Sequence, residues 1–166
     1  MLAALRSVAP GTPLREGVDR VLQARMGALI VVGDTPDVME LCSGGFDLNA
    51  EYSPQKVSEL AKMDGAIILS ADAKRIVRAN VQMMPDATLL TIETGTRHRS
   101  AERTARQVSC PVITVSEELM TVTVYRGDSR KTLESPQRVM ARADQVLQIL
   151  ARYRERFDAV LGHLTA

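Results

Sequence analysis

Between Pro13 and Met26, apolar residues recur every three or four positions, which is the spacing of a helix with one buried face. Thr12 and Pro13 occupy the positions of an N-cap and a first helical residue, so the pattern predicts a helix from Pro13 to about Met26. The β-branched run from Ala28 to Gly33 follows and predicts a buried strand. The chain therefore opens with a helix that leads into a strand.

Six further segments carry helix or strand patterns. The helix is expected from Ser53–Pro54 to about Lys62, and the strands are expected at Val38–Cys42, Ala66–Leu69 with Arg75–Arg78 as its hairpin partner, Val112–Val115 and Thr121–Tyr125. Helices and strands alternate in the first half of the chain, whereas hairpins dominate the second half. The fold class that fits is α/β, with a mixed central β-sheet flanked by helices.

A different pattern begins after Ser135–Pro136. Apolar residues fall at alternating intervals of four and three, which predicts one long C-terminal helix of on the order of 40 Å. We therefore expect a main domain over 1–134 and a helix over 135–166. This helix is either peripheral, lying along the domain, or the start of a spine that packs on another chain or domain. Its apolar positions are 139, 143, 146, 150, 153, 157, 160 and 164.

Composition narrows the function classes. Apolar residues make up 45% of the chain and charged residues 25%, and the formal net charge is +1, which argues against a disordered tail or a polycationic nucleic-acid coat. Five aromatic residues and no Trp argue against a stacking platform for bases. Cys42 and Cys110 lack the spacing of a zinc site, and no apolar run reaches the roughly 18 residues of a membrane span. We expect a cytoplasmic protein with no membrane partner.

Charge is distributed unevenly along the chain. Residues 34–64 hold seven acidic and two basic side chains, whereas residues 97–106 hold four arginines and one glutamate. The segment Gly95–Arg103 combines a glycine, hydroxyls and arginines immediately before a predicted helical stretch. Free N–H groups at a helix N-terminus and arginine forks both bind phosphate oxygens, so the segment favours a polyphosphate ligand. The alternative from spacing alone is a solvated or salt-bridged surface.

A second candidate motif, Met63–Ala66, stands before the strand Ala66–Leu69. A carboxylate at a strand end, followed by a glycine that lets a ligand approach the backbone, suits a divalent cation and a bound nucleotide. Taken by itself, Asp64–Gly65 is equally typical of a simple turn.

Taken together, these motifs resemble the diadenylate cyclase domain of the DNA-integrity scanning protein family over nearly the whole chain. That domain condenses two ATP molecules into cyclic di-AMP, and the resemblance implies its fold and this nucleotidyltransferase activity. The segments that carry the resemblance are Gly44–Phe46, Leu60–Ser70, Ala79–Val81, Glu93–Arg103 and Val115–Glu117.

The resemblance implies the residues of catalysis. Asp64 matches the acidic residue that binds the catalytic metal near the attacking ribose 3′-hydroxyl, and the cation would be Mg²⁺ or Mn²⁺. Glu118 aligns with a further acidic metal ligand. Arg97 and Arg99 match the catalytic arginines.

The resemblance also implies the residues that contact ATP. Gly65 and Ala66 match the backbone that meets the nucleotide, Met83 takes the position of a leucine against the adenine, and Ser116 matches a nucleotide contact. His98 either touches phosphate or orients its loop by hydrogen bonding. The phosphate-binding loop corresponds to Thr96, Arg97, His98, Arg99 and Ser100.

The expected partners follow from the reaction. Two bonds join the two nucleotides, so two subunits should face each other, and the family resemblance implies an octamer. DNA binding, if present, is expected only from a region beyond Ala166, because a net charge of +1 gives a weak footprint for a duplex. The alternative function is a sensor or assembly module that binds ATP or cyclic di-AMP without turnover.

Overall fold

The computed structural model describes residues 1–133 and 136–164. In this part of the chain, helices and strands are interspersed between residues 13 and 107, and three consecutive strands follow before the last helix. The helices are α1 (Leu2–Ser7), α2 (Pro13–Gln23), α3 (Pro36–Glu40), α4 (Pro54–Leu60), α5 (Thr96–Gln107) and α6 (Pro136–Leu164). The strands are β1 (Ala28–Val32), β2 (Cys42–Ser43), β3 (Phe46–Glu51), β4 (Ala66–Leu69), β5 (Arg75–Met83), β6 (Val112–Ser116), β7 (Thr121–Arg126) and β8 (Ser129–Leu133).

The strands form one mixed sheet in the order β2-β5-β4-β1-β6-β7-β8, with β3 also paired to β5. Strands β1 and β4 are parallel, and the other described pairs are antiparallel. The α/β class with a mixed central sheet is thereby confirmed, as is the hairpin of β4 with β5.

Helices cover both faces of this sheet. Side chains from α1, α2 and α4 pack on one face, and side chains from α3 and α5 pack on the other. The central strands β1, β4 and β6 are buried along their whole length, because both of their faces meet apolar side chains. The core therefore lies in two layers, with the sheet between them.

Two predicted helix starts are confirmed in detail. The Thr12 hydroxyl accepts a hydrogen bond of 3.2 Å from the Arg15 backbone N–H, and Pro13 begins α2. The Ser53 hydroxyl accepts an equivalent 3.2 Å bond from the Lys56 backbone N–H at the start of α4. Such caps satisfy N–H groups that lack a partner inside the helix.

The predicted strand at Val38–Cys42 is wrong. Pro36–Glu40 forms the short helix α3, with Pro36 in its first turn and Val38 buried, and only Cys42 and Ser43 join the sheet. Proline at the first helical position and Asp37 behind it favour a helix start, and they outweigh the short apolar run.

Helix α1 and the strands β3 and β8 were not predicted. Both strands are mostly exposed, so their sequences lack the apolar alternation that identifies a half-buried strand. They lie at the margins of the sheet, where polar side chains are common.

The chain divides into two compact units, Met1–Leu133 and Glu134–Ala166. The long C-terminal helix is confirmed as α6. The expected boundary between 134 and 135 lies outside the described residues and stays a prediction. Across the described ranges, no helix combines the length and apolar character needed to cross a membrane.

Candidate functional site

Four strands of the central sheet have one of their ends at the same edge of the sheet. Leu29 on β1 lies beside Ala66 at the start of the parallel strand β4, and Ala28 lies beside Val115 near the end of the antiparallel strand β6. Ala66 is also opposite Val81, close to the end of β5. The edge therefore collects the residues just before β1 and β4 and the last residues of β5 and β6.

The second element of the site is the first turn of α5. The predicted phosphate-binding segment Thr96–Ser100 was expected before a helix, but it forms the helix start itself, with Gly95 as the N-cap. Ala101 and Ala105 are fully buried against the sheet and hold the helix in place. The N-terminal turn carries backbone N–H groups without helical partners and the positive end of the helix dipole, which together attract anions.

A cleft of about 280 Å³ lies between this turn and the sheet edge. It brings together six of the residues predicted from the sequence, although these come from three separate segments. They are Gly65, Ala66, Met83, Thr96, Arg97 and Ser100. Leu29, Val81 and Gln82 complete the lining and were not predicted. Leu29 and Val81 give apolar walls; Val81 belongs to the segment Ala79–Val81 that carries the resemblance, but no sequence feature assigned either residue to the site.

Gly65 is required by the backbone geometry of the cleft. Its φ of +100° lies in a region that favours glycine. A Cβ atom at this position would come within 2.9 Å of backbone atoms of Asn80 and Val81. Glycine thus allows the chain before β4 to approach β5 closely and leaves its own backbone open to a ligand.

The four arginines of the basic segment separate into two pairs. Arg103 donates a 2.8 Å hydrogen bond to a backbone carbonyl of the preceding loop, and Arg106 pairs with the buried Glu102 at 2.9 Å. Within the described part of the chain, the guanidinium groups of Arg97 and Arg99 have no such partner. The second pair therefore remains available to bind an anionic ligand.

His98 lies in the same turn and is partly buried. Partial burial lowers its pKa below the ordinary value of 6.5, Glu93 opposes this shift, and the positive charges of Arg97 and Arg130 add to it. The neutral form of the imidazole is therefore favoured at pH 7. A neutral imidazole can both donate and accept a hydrogen bond, which suits either of the roles predicted for His98.

Asp64 stands exposed in the turn before β4, and its carboxylate has no partner among the residues that the structure describes. In those residues there is also no cluster of three or more metal-binding side chains. A single free carboxylate fits Mg²⁺ or Mn²⁺ bound by one or two carboxylates together with substrate phosphates. It does not fit a cation that the protein alone would enclose.

Ser116 and Glu118 lie at the same sheet edge, two strands away from β4. Ser116 is buried, and its hydroxyl accepts a 3.2 Å hydrogen bond from the Leu119 backbone N–H. Glu118 is exposed in the turn that this bond stabilises. Among the described residues, neither of these lines the cleft, and Asp64, His98 and Arg99 also lie outside its lining. Their predicted roles stay predictions.

Comparison with known proteins identifies a matching family. The family model DAC, described as DisA bacterial checkpoint controller nucleotide-binding, matches residues 15–130. The DNA integrity scanning protein DisA of Clostridium acetobutylicum is 48% identical over 164 residues, and that of Kineococcus radiotolerans is 52% identical over 162 residues. The alignments cover 99% and 98% of this chain but only 46% and 45% of those relatives. The chain thus spans about half their length.

Solved structures share the fold. A cysteine-substituted DacA from Staphylococcus aureus superposes with a TM-score of 0.57 at 23% identity, covering 74% of this chain and 85% of that one. A protein described as a hypothetical membrane spanning protein from Bacillus cereus superposes with a TM-score of 0.64 at 24% identity, covering 74% of this chain and 62% of that one. On the family match, the chain belongs to the DAC family of nucleotide-binding domains.

Proposed function

We propose that this domain is a diadenylate cyclase, which joins two ATP molecules into cyclic di-AMP and releases two pyrophosphates. The observation that carries the proposal is the cleft in which the backbone at Gly65–Ala66, the side chain of Met83 and the first turn of α5 converge. Family membership supports the same reaction class.

In this proposal the cleft binds one ATP in a fixed direction. The triphosphate lies at the first turn of α5, where Arg97, Arg99 and the backbone N–H groups supply positive charge and hydrogen bonds. Thr96 and Ser100 add hydroxyl donors at the same turn. The adenine lies against Met83 and the aliphatic walls of the cleft, because the chain has no aromatic side chain there to stack on it.

The reaction requires the 3′-oxygen of one nucleotide to attack the α-phosphorus of the other. A bond from the 3′-oxygen to the α-phosphorus forms, the bond from that phosphorus to pyrophosphate breaks, and the 3′-hydroxyl proton passes to solvent. The 3′-oxygen of the second nucleotide then attacks the α-phosphorus of the first in the same way, which releases the second pyrophosphate and a second proton. Arg97 and Arg99 stabilise the charge that develops on the phosphates. Asp64 is the group assigned to the attacking hydroxyl, and its carboxylate would hold the nucleotide-bound cation.

Asp64 would hold Mg²⁺ or Mn²⁺, with Glu118 as the predicted second acidic ligand. When bound, the cation supplies positive charge to the triphosphate and favours ionisation of the 3′-hydroxyl. The remaining ligands would be phosphate oxygens and water, which is the usual arrangement for Mg²⁺ at a nucleotide.

Two subunits are needed to bring two nucleotides together. A cleft of about 280 Å³ lies at the lower end of the roughly 300–1,000 Å³ range of small-ligand sites, so one chain offers room for one nucleotide and not for two. We propose that two copies face each other and that each copy's Asp64 acts on the nucleotide held by its partner. An octamer and a separate DNA-binding region remain expectations from the family resemblance.

The decisive experiment is incubation of the purified chain with ATP and Mg²⁺ or Mn²⁺, followed by separation of the nucleotides. The expected products are cyclic di-AMP and two pyrophosphates per cyclic molecule. A sensor or assembly module would bind ATP or cyclic di-AMP without releasing pyrophosphate, and that result would replace the present proposal with the alternative.

A further inference from the structure

The guanidinium group of Arg97 rests on the backbone of Gly27. Gly27 follows the end of α2 and immediately precedes β1, at the sheet edge that borders the cleft. If residue 27 had a Cβ atom, the central carbon and both terminal nitrogens of the Arg97 guanidinium would all lie within 2.9 Å of it. The space that a side chain would fill at position 27 is therefore already taken by Arg97.

Glycine is needed at position 27 because it leaves room for the Arg97 guanidinium, and not because the backbone conformation there requires a glycine. Positive φ angles occur at Gly65 and at five other described glycines, but not at Gly27. Alanine can thus adopt the backbone of residue 27 without strain. The Cβ of an alanine at position 27 would collide with the far end of a flexible side chain, whereas at Gly65 it would collide with backbone. The arginine would move, and the fold would remain.

The contact with Gly27 also fixes the position of the Arg97 guanidinium. Its guanidinium makes no ion pair with any residue in the described ranges, so its position depends on packing. A long side chain that moves freely must lose rotamer entropy when it binds a ligand, and a side chain already held in place loses less. The bare backbone at Gly27 offers a flat surface for the planar guanidinium beside the cleft that Arg97 lines.

We propose that Gly27 is a positioning residue, which holds the Arg97 guanidinium at the cleft where the phosphates of ATP bind. This inference rests on the proposed function, because it takes the ATP phosphates as the partners of Arg97. Gly27 acts through Arg97 and does not itself contact the reacting atoms.

A double-mutant cycle tests the inference. Binding of α,β-methylene-ATP with Mg²⁺ is measured by calorimetry for the unchanged chain, Gly27→Ala, Arg97→Ala and the double variant. This probe cannot be cleaved at the bond that the proposed reaction breaks. Gly162→Ala is the matched control, because a Cβ at Gly162 meets nothing within 4 Å.

The expected result is a loss of affinity of about tenfold for Gly27→Ala, with no further loss when Arg97→Ala is already present. The control should bind as the unchanged chain does. Equal losses from Gly27→Ala in both backgrounds would mean that the glycine acts independently of Arg97 and would overturn the inference. A fall of more than about 5 °C in the melting temperature of Gly27→Ala would also overturn it, because the fold and not the arginine would then have absorbed the methyl group.

The cycle separates this inference from the proposed function. If Arg97→Ala weakens binding and Gly27→Ala does not, the inference is wrong and the assignment of Arg97 to the phosphates stands. If Arg97→Ala binds the probe as the unchanged chain does, the phosphate assignment fails, and the positioning role of Gly27 fails with it.

Discussion

Tyr125 on β7 donates a hydrogen bond of 3.0 Å from its phenol to the carboxylate of Glu93, which lies in the loop before α5. The guanidinium of Arg130 on β8 binds the same carboxylate. The Glu93 side chain is only 14% exposed, and a carboxylate so placed requires partners of this kind. The two bonds fasten the loop to the sheet immediately before the turn that forms the candidate phosphate site.

Replacement of Glu93 should destabilise the fold. Glu93→Ala leaves the phenol of the buried Tyr125 without its acceptor, and we expect the free energy of unfolding to fall by about 1–3 kcal/mol. Urea denaturation measures the loss. In a Tyr125→Phe background the same change should cost less, because no phenol remains to be satisfied. Glu40→Ala, at an exposed position in α3, is the control; an equal loss there would contradict the role of Glu93.

Asp64→Asn should separate turnover from binding. The substitution removes the negative charge assigned to the cation and the attacking hydroxyl but leaves the α5 turn intact. We expect cyclic di-AMP synthesis to be abolished, while ATP affinity stays within roughly an order of magnitude of the original value. Asp34→Asn is the matched control, since Asp34 is exposed beyond the opposite end of β1. Near-normal synthesis by Asp64→Asn would refute the assignment of Asp64.

Loss of both free arginines should act on binding itself. Combined Arg97→Ala and Arg99→Ala removes two charge-assisted contacts to phosphate, each worth about 1.5–3 kcal/mol, so ATP affinity should fall by at least about a hundredfold. Calorimetry with the uncleavable analogue measures the change. The control pair, Arg6→Ala with Arg20→Ala, lies on helices that pack on the other face of the sheet from α5. A comparable loss in the control would point to overall charge and not to the α5 turn.

Strong hydrophobic patterns allowed the central fold to be predicted. The buried strands β1, β4 and β6 consist of short apolar runs. Thr12 and Ser53 mark helix starts, because their hydroxyls accept hydrogen bonds from backbone N–H groups in the first turn. The polar strands β3 and β8 were missed, because exposed edge strands are held by backbone hydrogen bonds and have no alternation of apolar and polar side chains in their sequence. The helix α3 was mistaken for a strand because a single buried residue, Val38, fits the hydrophobic spacing of a helix as well as that of a strand.

The candidate site was predictable in its motifs but not in its walls. Gly65 and Arg97 stand in recognisable segments, whereas Leu29 and Val81 reach the cleft only because the sheet register places them there. The contact between Gly27 and Arg97 joins residues 70 positions apart and has no sequence cue. Pairings of this kind depend on tertiary packing, which a single sequence does not display.

His98 should make stability depend on acidity. Its folded-state pKa is lowered below 6.5, chiefly by burial, whereas the unfolded chain protonates this imidazole near its ordinary pKa. As the pH falls below about 6.5, the unfolded state therefore binds more protons than the folded state does. The free energy of unfolding decreases over the range between 6.5 and the folded-state pKa of His98, and it levels off below that pKa. Between about pH 7.5 and pH 5, urea denaturation should show a larger loss for the unchanged chain than for His98→Gln. The same pH slope in both proteins would contradict a depressed pKa at His98.

Synthesis should depend on association between subunits. If Asp64 acts on a nucleotide held by a facing copy, an isolated subunit can bind ATP at its own α5 turn but cannot complete either bond. We expect the specific activity to fall on dilution in step with the loss of oligomers seen by sedimentation, while ATP binding per subunit partly survives. Binding measured at each dilution is the control, because it distinguishes loss of partners from loss of folded protein. Full turnover by a demonstrated monomer would show that one chain supplies both halves of the reaction, and the facing arrangement would have to be abandoned.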